Sequence, residues 1–218
     1  MARRYDLIVF DWDGTVMDST AVIVGSIQAA CRDLGLTVPD DAAARHVIGL
    51  GLEEALRHAV PDAPESMCGP LVERYRHHFL AQDQAIPLFE GARETIAELH
   101  DAGYWLAVAT GKSRAGLERV LGASGMERYF HATRTADRTF SKPHPAMLLE
   151  LMEELAVGAE RALMIGDTTH DVQMAQNAQV DAVAVGYGAH PPEQLQELNP
   201  LALVKDFAEL RMWLRANA

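Results

Sequence analysis

A four-residue apolar run that ends abruptly in two acids, Leu7-Ile8-Val9-Phe10-Asp11-Trp12-Asp13-Gly14, constrains this chain more than any other stretch. Its length and β-branched content predict a buried strand. Were extended geometry to continue, alternation would send Asp11 and Asp13 to the same side. Gly14 permits a sharp turn and a close approach of backbone to a ligand. Acids and a glycine at the carboxyl end of a buried strand occupy the usual ligand position of an open α/β sheet. Taken alone, the same residues also fit a strand end with ordinary Asp-Gly turn chemistry. An EF-hand loop does not fit, because Gly14 stands at loop position four and Val22 at position twelve.

After this strand the pattern turns helical, from Thr20 to about Gln84. Ile23, Ile27, Ala30 and Leu34 fall at helix spacing before Gly35. Leu52, Ala55, Leu56 and Ala59 make a second apolar face, and Leu71, Tyr75 and Phe79 a later one, with Pro61, Pro64 and Pro70 as punctuation. Beyond Pro87 and Gly91 helix and strand alternate. Helices are predicted at 92–101, 114–124, 145–156 and 172–178, with a last one ending near Leu214. Strands are predicted at 104–109, 130–133, 162–165, 182–185 and 201–204. Such alternation implies a parallel sheet with helices on both faces, interrupted after its first strand by a small helical module. A chain of 218 residues is long enough for both.

Reactive groups gather where strands end. The first predicted strand runs into Asp11, the second into Thr110-Gly111-Lys112, and a third into Gly166-Asp167-Thr168-Thr169-His170-Asp171. In a parallel sheet these ends share one edge. Acids at two ends, with a hydroxyl and a glycine amide at another, could hold Mg²⁺ and a phosphoryl group. Ser141-Lys142-Pro143 adds a cation in a loop ahead of a helix. Nucleotide-loop readings fail on spacing: Gly111-Lys112-Ser113 lacks a Walker glycine at Leu106, and the Gly49 and Gly186 runs lack a third glycine at Glu54 and Pro191. With 19 basic against 31 acidic residues, a net charge of −12, nonspecific binding to nucleic acid or anionic membrane is disfavoured. Mean hydropathy is near zero. Cys31 and Cys68 form no CxxC pattern and read as reduced thiols of a cytoplasmic protein. No signal peptide or membrane span is expected.

In this order, DWDGT, the Thr110 strand end, Lys142 before proline and GDTTHD make the chain resemble the haloacid dehalogenase-like (HAD) superfamily. The resemblance spans nearly the whole chain, and within the superfamily it is to the phosphoglycolate phosphatase-like branch with a helical cap. It implies a doubly wound, parallel-sheet (Rossmann-like) α/β core at residues 1–16 and 87–218, and an inserted small α-helical cap domain at 17–86. It also implies Mg²⁺-dependent hydrolysis of a small phosphate monoester, phosphoglycolate being the family's guess. By this resemblance Asp11 is the nucleophile that forms an aspartyl-phosphate, and Asp13 the acid and base for leaving group and water. Mg²⁺ would be bound by Asp11, Asp167 and the backbone carbonyl of Asp13, with Asp171 a further ligand or one layer behind. Thr110 and the Gly111 amide would hold phosphoryl oxygens, and Lys142 would sit beside nucleophile and phosphate. Charge supports this set, because four carboxylates facing a phosphate dianion need compensating cations. A phosphomutase of the same branch keeps both acids and is the alternative in the same chemistry. A non-catalytic phosphate- or partner-binding module on this scaffold is the alternative of another class.

The remaining residues have plainer expectations. His144 and His170 are expected at the surface or beside the site, and Lys112 peripheral to Lys142. Asp18 and Ser19 are expected to cap the first inserted helix. Trp12 is expected to pack or line the pocket, and Trp105 and Trp213 to pack in or on the core. Arg45 and the loop Gly49 to Leu52 are candidate contacts to the leaving group.

Overall fold

The computed structural model describes residues 3–218. Six strands form one parallel sheet: β1 (Leu7–Phe10), β2 (Trp105–Thr110), β3 (Ala132–Thr135), β4 (Ala162–Gly166), β5 (Asp181–Val185) and β6 (Ala202–Val204), in the order β3-β2-β1-β4-β5-β6. β1 is central because its four residues are wholly buried and carry no group that needs water. It pairs with β2 through Phe10 opposite Val108, and with β4 through Phe10 opposite Ile165. The chain therefore leaves β1 toward one side of the sheet and later returns to the other. Such a reversal opens a crevice at the carboxyl ends of the strands.

Alternation along the strands divides the core in two. Ile8, Phe10, Leu106, Val108, Leu163 and Ile165 face one apolar cluster, while Leu7, Val9, Ala107, Ala109, Ala162 and Met164 face the other. The second face is covered by α7 (Ala146–Leu155), α8 (Thr169–Asn177) and α9 (Pro192–Glu197), through residues such as Leu148, Leu151, Val172 and Leu195. The first face is covered by α5 (Ala92–Asp101), α6 (Arg114–Ser124) and α10 (Phe207–Asn217). Its cluster continues through Trp12 and Val16 into the inserted helices α1 (Thr20–Asp33), α2 (Asp41–His46), α3 (Leu52–Ala59) and α4 (Cys68–Leu80). No strand interrupts those four helices.

Several boundaries differ from expectation for local reasons. β3 begins at Ala132 rather than Phe130, because Glu127–Tyr129 form a 3₁₀ turn and His131 is spent on Leu106, whose amide donates to its Nδ1 at 3.1 Å. α8 begins at Thr169 rather than Val172, since Thr168 and Asp171 form a reciprocal capping box that starts the helix earlier. α9 was not expected; Pro at its first turn is its clearest sequence mark. Trp105 is not a core residue: it is 44% exposed at the outer end of β2, with its ring edge-on to His131 at 4.7 Å. Ser19 precedes α1 but makes no cap hydrogen bond, because its hydroxyl is used elsewhere. Among the described residues no helix is long and apolar enough to cross a membrane.

The central strand supplies a test of this packing. Phe10 is fully buried against Phe130, edge to face at 6.4 Å. Phe10→Ala should cost about 3–5 kcal/mol in urea unfolding; a loss under about 1 kcal/mol would contradict the burial.

Candidate active site

Asp11, Thr110 and Asp167 stand at the ends of adjacent strands β1, β2 and β4, so the sheet register brings together what the sequence holds far apart. Asp11 is fully buried. Its Oδ1 accepts a 2.6 Å hydrogen bond from Lys142 Nζ, and its Oδ2 has no hydrogen-bond partner. Lys142 is likewise fully buried and lies 2.7 Å from Asp171 Oδ1, without hydrogen-bond geometry. The other oxygen of Asp171 accepts from Thr168 N and Oγ1 at 3.1 and 2.7 Å. One carboxylate thus starts helix α8 and faces the site at once.

Asp167 is held from two sides. Thr15 Oγ1 donates to its Oδ1, and the Ala189 amide to its Oδ2, each at 2.7 Å. Its neighbours must be small. Gly14 has φ +84°, and a Cβ there would overlap the Asp167 carboxylate, as would one at Gly188. Gly188 was visible only as part of a failed nucleotide motif. Its use is to let the β5 loop close over an acid.

Asp11, Asp167 and Asp171 place ligand oxygens within 4.8 Å of one another. Three buried acids share one buried cation, and their protonation reflects it. Burial, and then the charges of Asp171 and Asp167, push Asp11 well above the usual carboxylate range against the pull of Lys142. Burial and Asp171 likewise raise Asp167 to about 7. Burial alone would lower Lys142, but Asp11 and Asp171 hold it above its ordinary value. A divalent cation fits this set: the donors are all hard oxygens, Asp11 Oδ2 has no hydrogen-bond partner, and the cluster is short of positive charge.

Asp13 points elsewhere. Its Oδ1 accepts from Ser19 Oγ at 2.7 Å, and Lys112 Nζ donates to both its oxygens at 2.9 and 2.8 Å. Lys112 is therefore not peripheral, which corrects the expectation. Only its place two residues beyond Thr110 hinted at this. Thr110 is buried and its hydroxyl accepts from the Lys112 amide at 3.2 Å. Asp18 is exposed, and Trp12 packs edge-on to Phe130 at 6.1 Å.

The inserted helices lie closed over this edge. A Cβ on Gly111 would strike the Leu50 and Gly49 carbonyls, so the absent side chain is what lets the loop sit down. The Gly51 amide donates to Ser141 Oγ at 2.9 Å. The His46 carbonyl accepts from His170 Nε2 at 2.9 Å and His190 Nε2 at 3.1 Å. Gly49 to Leu52 line the cavity in front of these acids; Arg45 does not, and His144 is exposed. His190, which sequence reading passed over, has its tautomer fixed. The Thr169 amide donates to Nδ1 at 3.0 Å, so the proton resides on Nε2.

The sequence pattern of the haloacid dehalogenase-like hydrolase family matches residues 8–185. The chain belongs to that family. It is 38% identical to the Dickeya dadantii protein named "Probable phosphatase IndB", over 94% of this chain and 91% of that one. It is 31% identical to a phosphoglycolate phosphatase of Agrobacterium fabrum, over 94% and 90% of the two chains. A hydrolase from Pseudomonas syringae shares the fold, with a TM-score of 0.87 at 20% identity over 97% of this chain and 98% of its own.

The closed loop yields a pH prediction. Burial, and then neighbouring His170, lower His190 to about 4. Against an unfolded value near 6.5, stability is whole above that pH and falls as pH drops toward 4, by at most about 3 kcal/mol. Long-range ¹H–¹⁵N NMR should show His190 neutral with Nε2 protonated from pH 5 to 8. A midpoint above 6 would contradict this hydrogen bonding.

Proposed function

We propose that this protein is a Mg²⁺-dependent phosphatase that hydrolyses a small phosphate monoester through an aspartyl-phosphate on Asp11. The observation that carries the reading is Asp11 itself: buried, with one oxygen on Lys142 and the other without a partner. Residues 17–86 are taken as the cap and residues 1–16 and 87–218 as the catalytic core. Phosphatases among the relatives, one of them a phosphoglycolate phosphatase, support the class of reaction.

In this reading the phosphoryl group docks against the Thr110 hydroxyl, the Gly111 amide and Lys142. An Asp11 oxygen attacks phosphorus as the ester bond breaks, and Asp13 gives its proton to the departing alkoxide. Asp13, now ionised, takes a proton from water, whose oxygen attacks the phosphorus of the aspartyl-phosphate. Inorganic phosphate leaves and the Asp11 carboxylate returns. Lys112 and Ser19 hold the Asp13 carboxylate in place between its two duties. Asp11, Asp167 and the Asp13 carbonyl would hold Mg²⁺, with Asp171 a further ligand or one layer behind. When bound, Mg²⁺ supplies charge neutralisation for a phosphate dianion among carboxylates. The Gly49 to Leu52 loop covers part of the site from the cap side.

Phosphate release from a panel of monoesters, with and without Mg²⁺, tests the reading. Release should require the metal and stop with chelator; full activity in metal-free buffer would remove Mg²⁺ from the account. Recovery of an isomerised ester in place of phosphate would make the enzyme a mutase. Asp11→Asn should lose about 10³-fold or more of kcat while keeping the fold. Lys142→Met should lose about 10²–10³-fold, and a loss below threefold would place Lys142 outside the chemistry.

A further inference from the structure

The cavity in front of Asp11 and Asp13 has a volume of about 750 Å³. At roughly 30 Å³ per water-sized group it has room for about 25 such groups. A phosphoryl group on a two-carbon acid would leave most of it unfilled. The apolar part of its wall comes from the inserted helices: Ile23 and Ile27 of α1, Leu56 of α3, and Tyr75 and Phe79 of α4, with Lys112 Nζ 4.7 Å from the centre of the Phe79 ring. The Tyr75 and Phe79 rings stack 5.7 Å apart at 16°. Burial, and then the charge of Asp13, push the Tyr75 phenol above its ordinary value, so this wall is neutral.

Of the three cations that line the cavity, Lys112 and Arg119 are already paired and Arg76 is not. Lys112 is held by Asp13, and Arg119 Nε donates to Asp83 at 2.6 Å. Glu53, Glu54 and Asp137 add negative charge to the lining, while Arg76 is exposed. No lysine occurs between residues 17 and 86. A second anionic group on the substrate would lose its water against hydrocarbon, where the buried cation, Lys112, is already held by Asp13. A hydrocarbon or aromatic body would gain by the same burial.

We infer that the leaving group is an uncharged alcohol with a bulky, mainly apolar body, seated against Ile23, Ile27, Leu56 and the Tyr75–Phe79 pair. This rests on the phosphatase reading and departs from phosphoglycolate as substrate. Alkyl phosphates separate size from reactivity, because ethyl, butyl and hexyl esters share nearly the same leaving-group chemistry. With Mg²⁺ present, kcat/KM should rise by up to about fourfold for each added methylene that is buried. Hexyl phosphate should exceed ethyl phosphate at least tenfold, and phosphoglycolate should not exceed ethyl phosphate. In Phe79→Ser, with its fold checked by circular dichroism, the hexyl-to-ethyl ratio should fall at least threefold. Phosphate release that is flat across the series, or fastest from phosphoglycolate, overturns the inference and leaves the phosphatase reading standing. An unchanged ratio in folded Phe79→Ser overturns the aromatic wall. No release from any ester overturns the reading and the inference together.

Discussion

One fully buried lysine against three fully buried or nearly buried carboxylates is the constraint on which the rest of this structure depends. Lys142 reaches Asp11 at 2.6 Å and Asp171 at 2.7 Å, with Asp167 alongside. Removing these charges from water costs several kcal/mol per ion, and one ammonium does not offset three carboxylates. The deficit explains why Asp11 and Asp167 are pushed toward the neutral form. It also makes the cluster receptive to a divalent cation. The fold sustains such a site because its charges sit at strand ends, where backbone groups and helix starts can serve them. Asp167 takes an amide from Ala189, and Asp171 is bound into the first turn of α8.

The acids also differ in company. Asp13 is only two residues from Asp11, yet it is turned to Ser19 and Lys112 while Asp11 is turned to Lys142. Two chemically identical groups thereby acquire different surroundings, which is what separate roles as nucleophile and proton carrier require. The closed loop adds to the division. It seats its backbone on Gly111 and hangs the His46 carbonyl on two histidines of the core. The same backbone contacts bring Gly49 to Leu52 into the cavity lining beside Asp11 and Asp13.

Much of this was legible in the chain. The apolar run before Asp11, the helical spacing from Thr20 and the strand–acid pattern at Asp167 pointed to the sheet, the insert and the shared edge. What the sequence hid was side-chain direction. Ser19 looked like a helix cap and instead bonds Asp13; Lys112 looked peripheral and instead holds the same acid. Both depend on how Gly14 turns the backbone, a three-dimensional fact with no periodic signature. Gly188 and His190 act from loops that β5 and its neighbours bring back to the edge, and no local pattern announces such a return. Trp105 is exposed because β2 starts ahead of β3: Trp105 pairs with Leu7 of β1, while pairing with β3 begins only at Ala107.

The central claim is that Asp11 becomes covalently phosphorylated and that Asp13 then activates water. Acid quenching of Asp13→Ala during turnover of an aryl phosphate, followed by mass spectrometry of the peptide containing Asp11, tests it most directly. An aryl phosphate with an acidic phenol leaves without a proton, so the first step survives in part while the second lacks its base. The account predicts one phosphate accumulating on the Asp11 peptide, with none from an alkyl phosphate, whose departure needs the missing acid. A variant that still turns over the aryl ester while Asp11 never carries phosphate would contradict it.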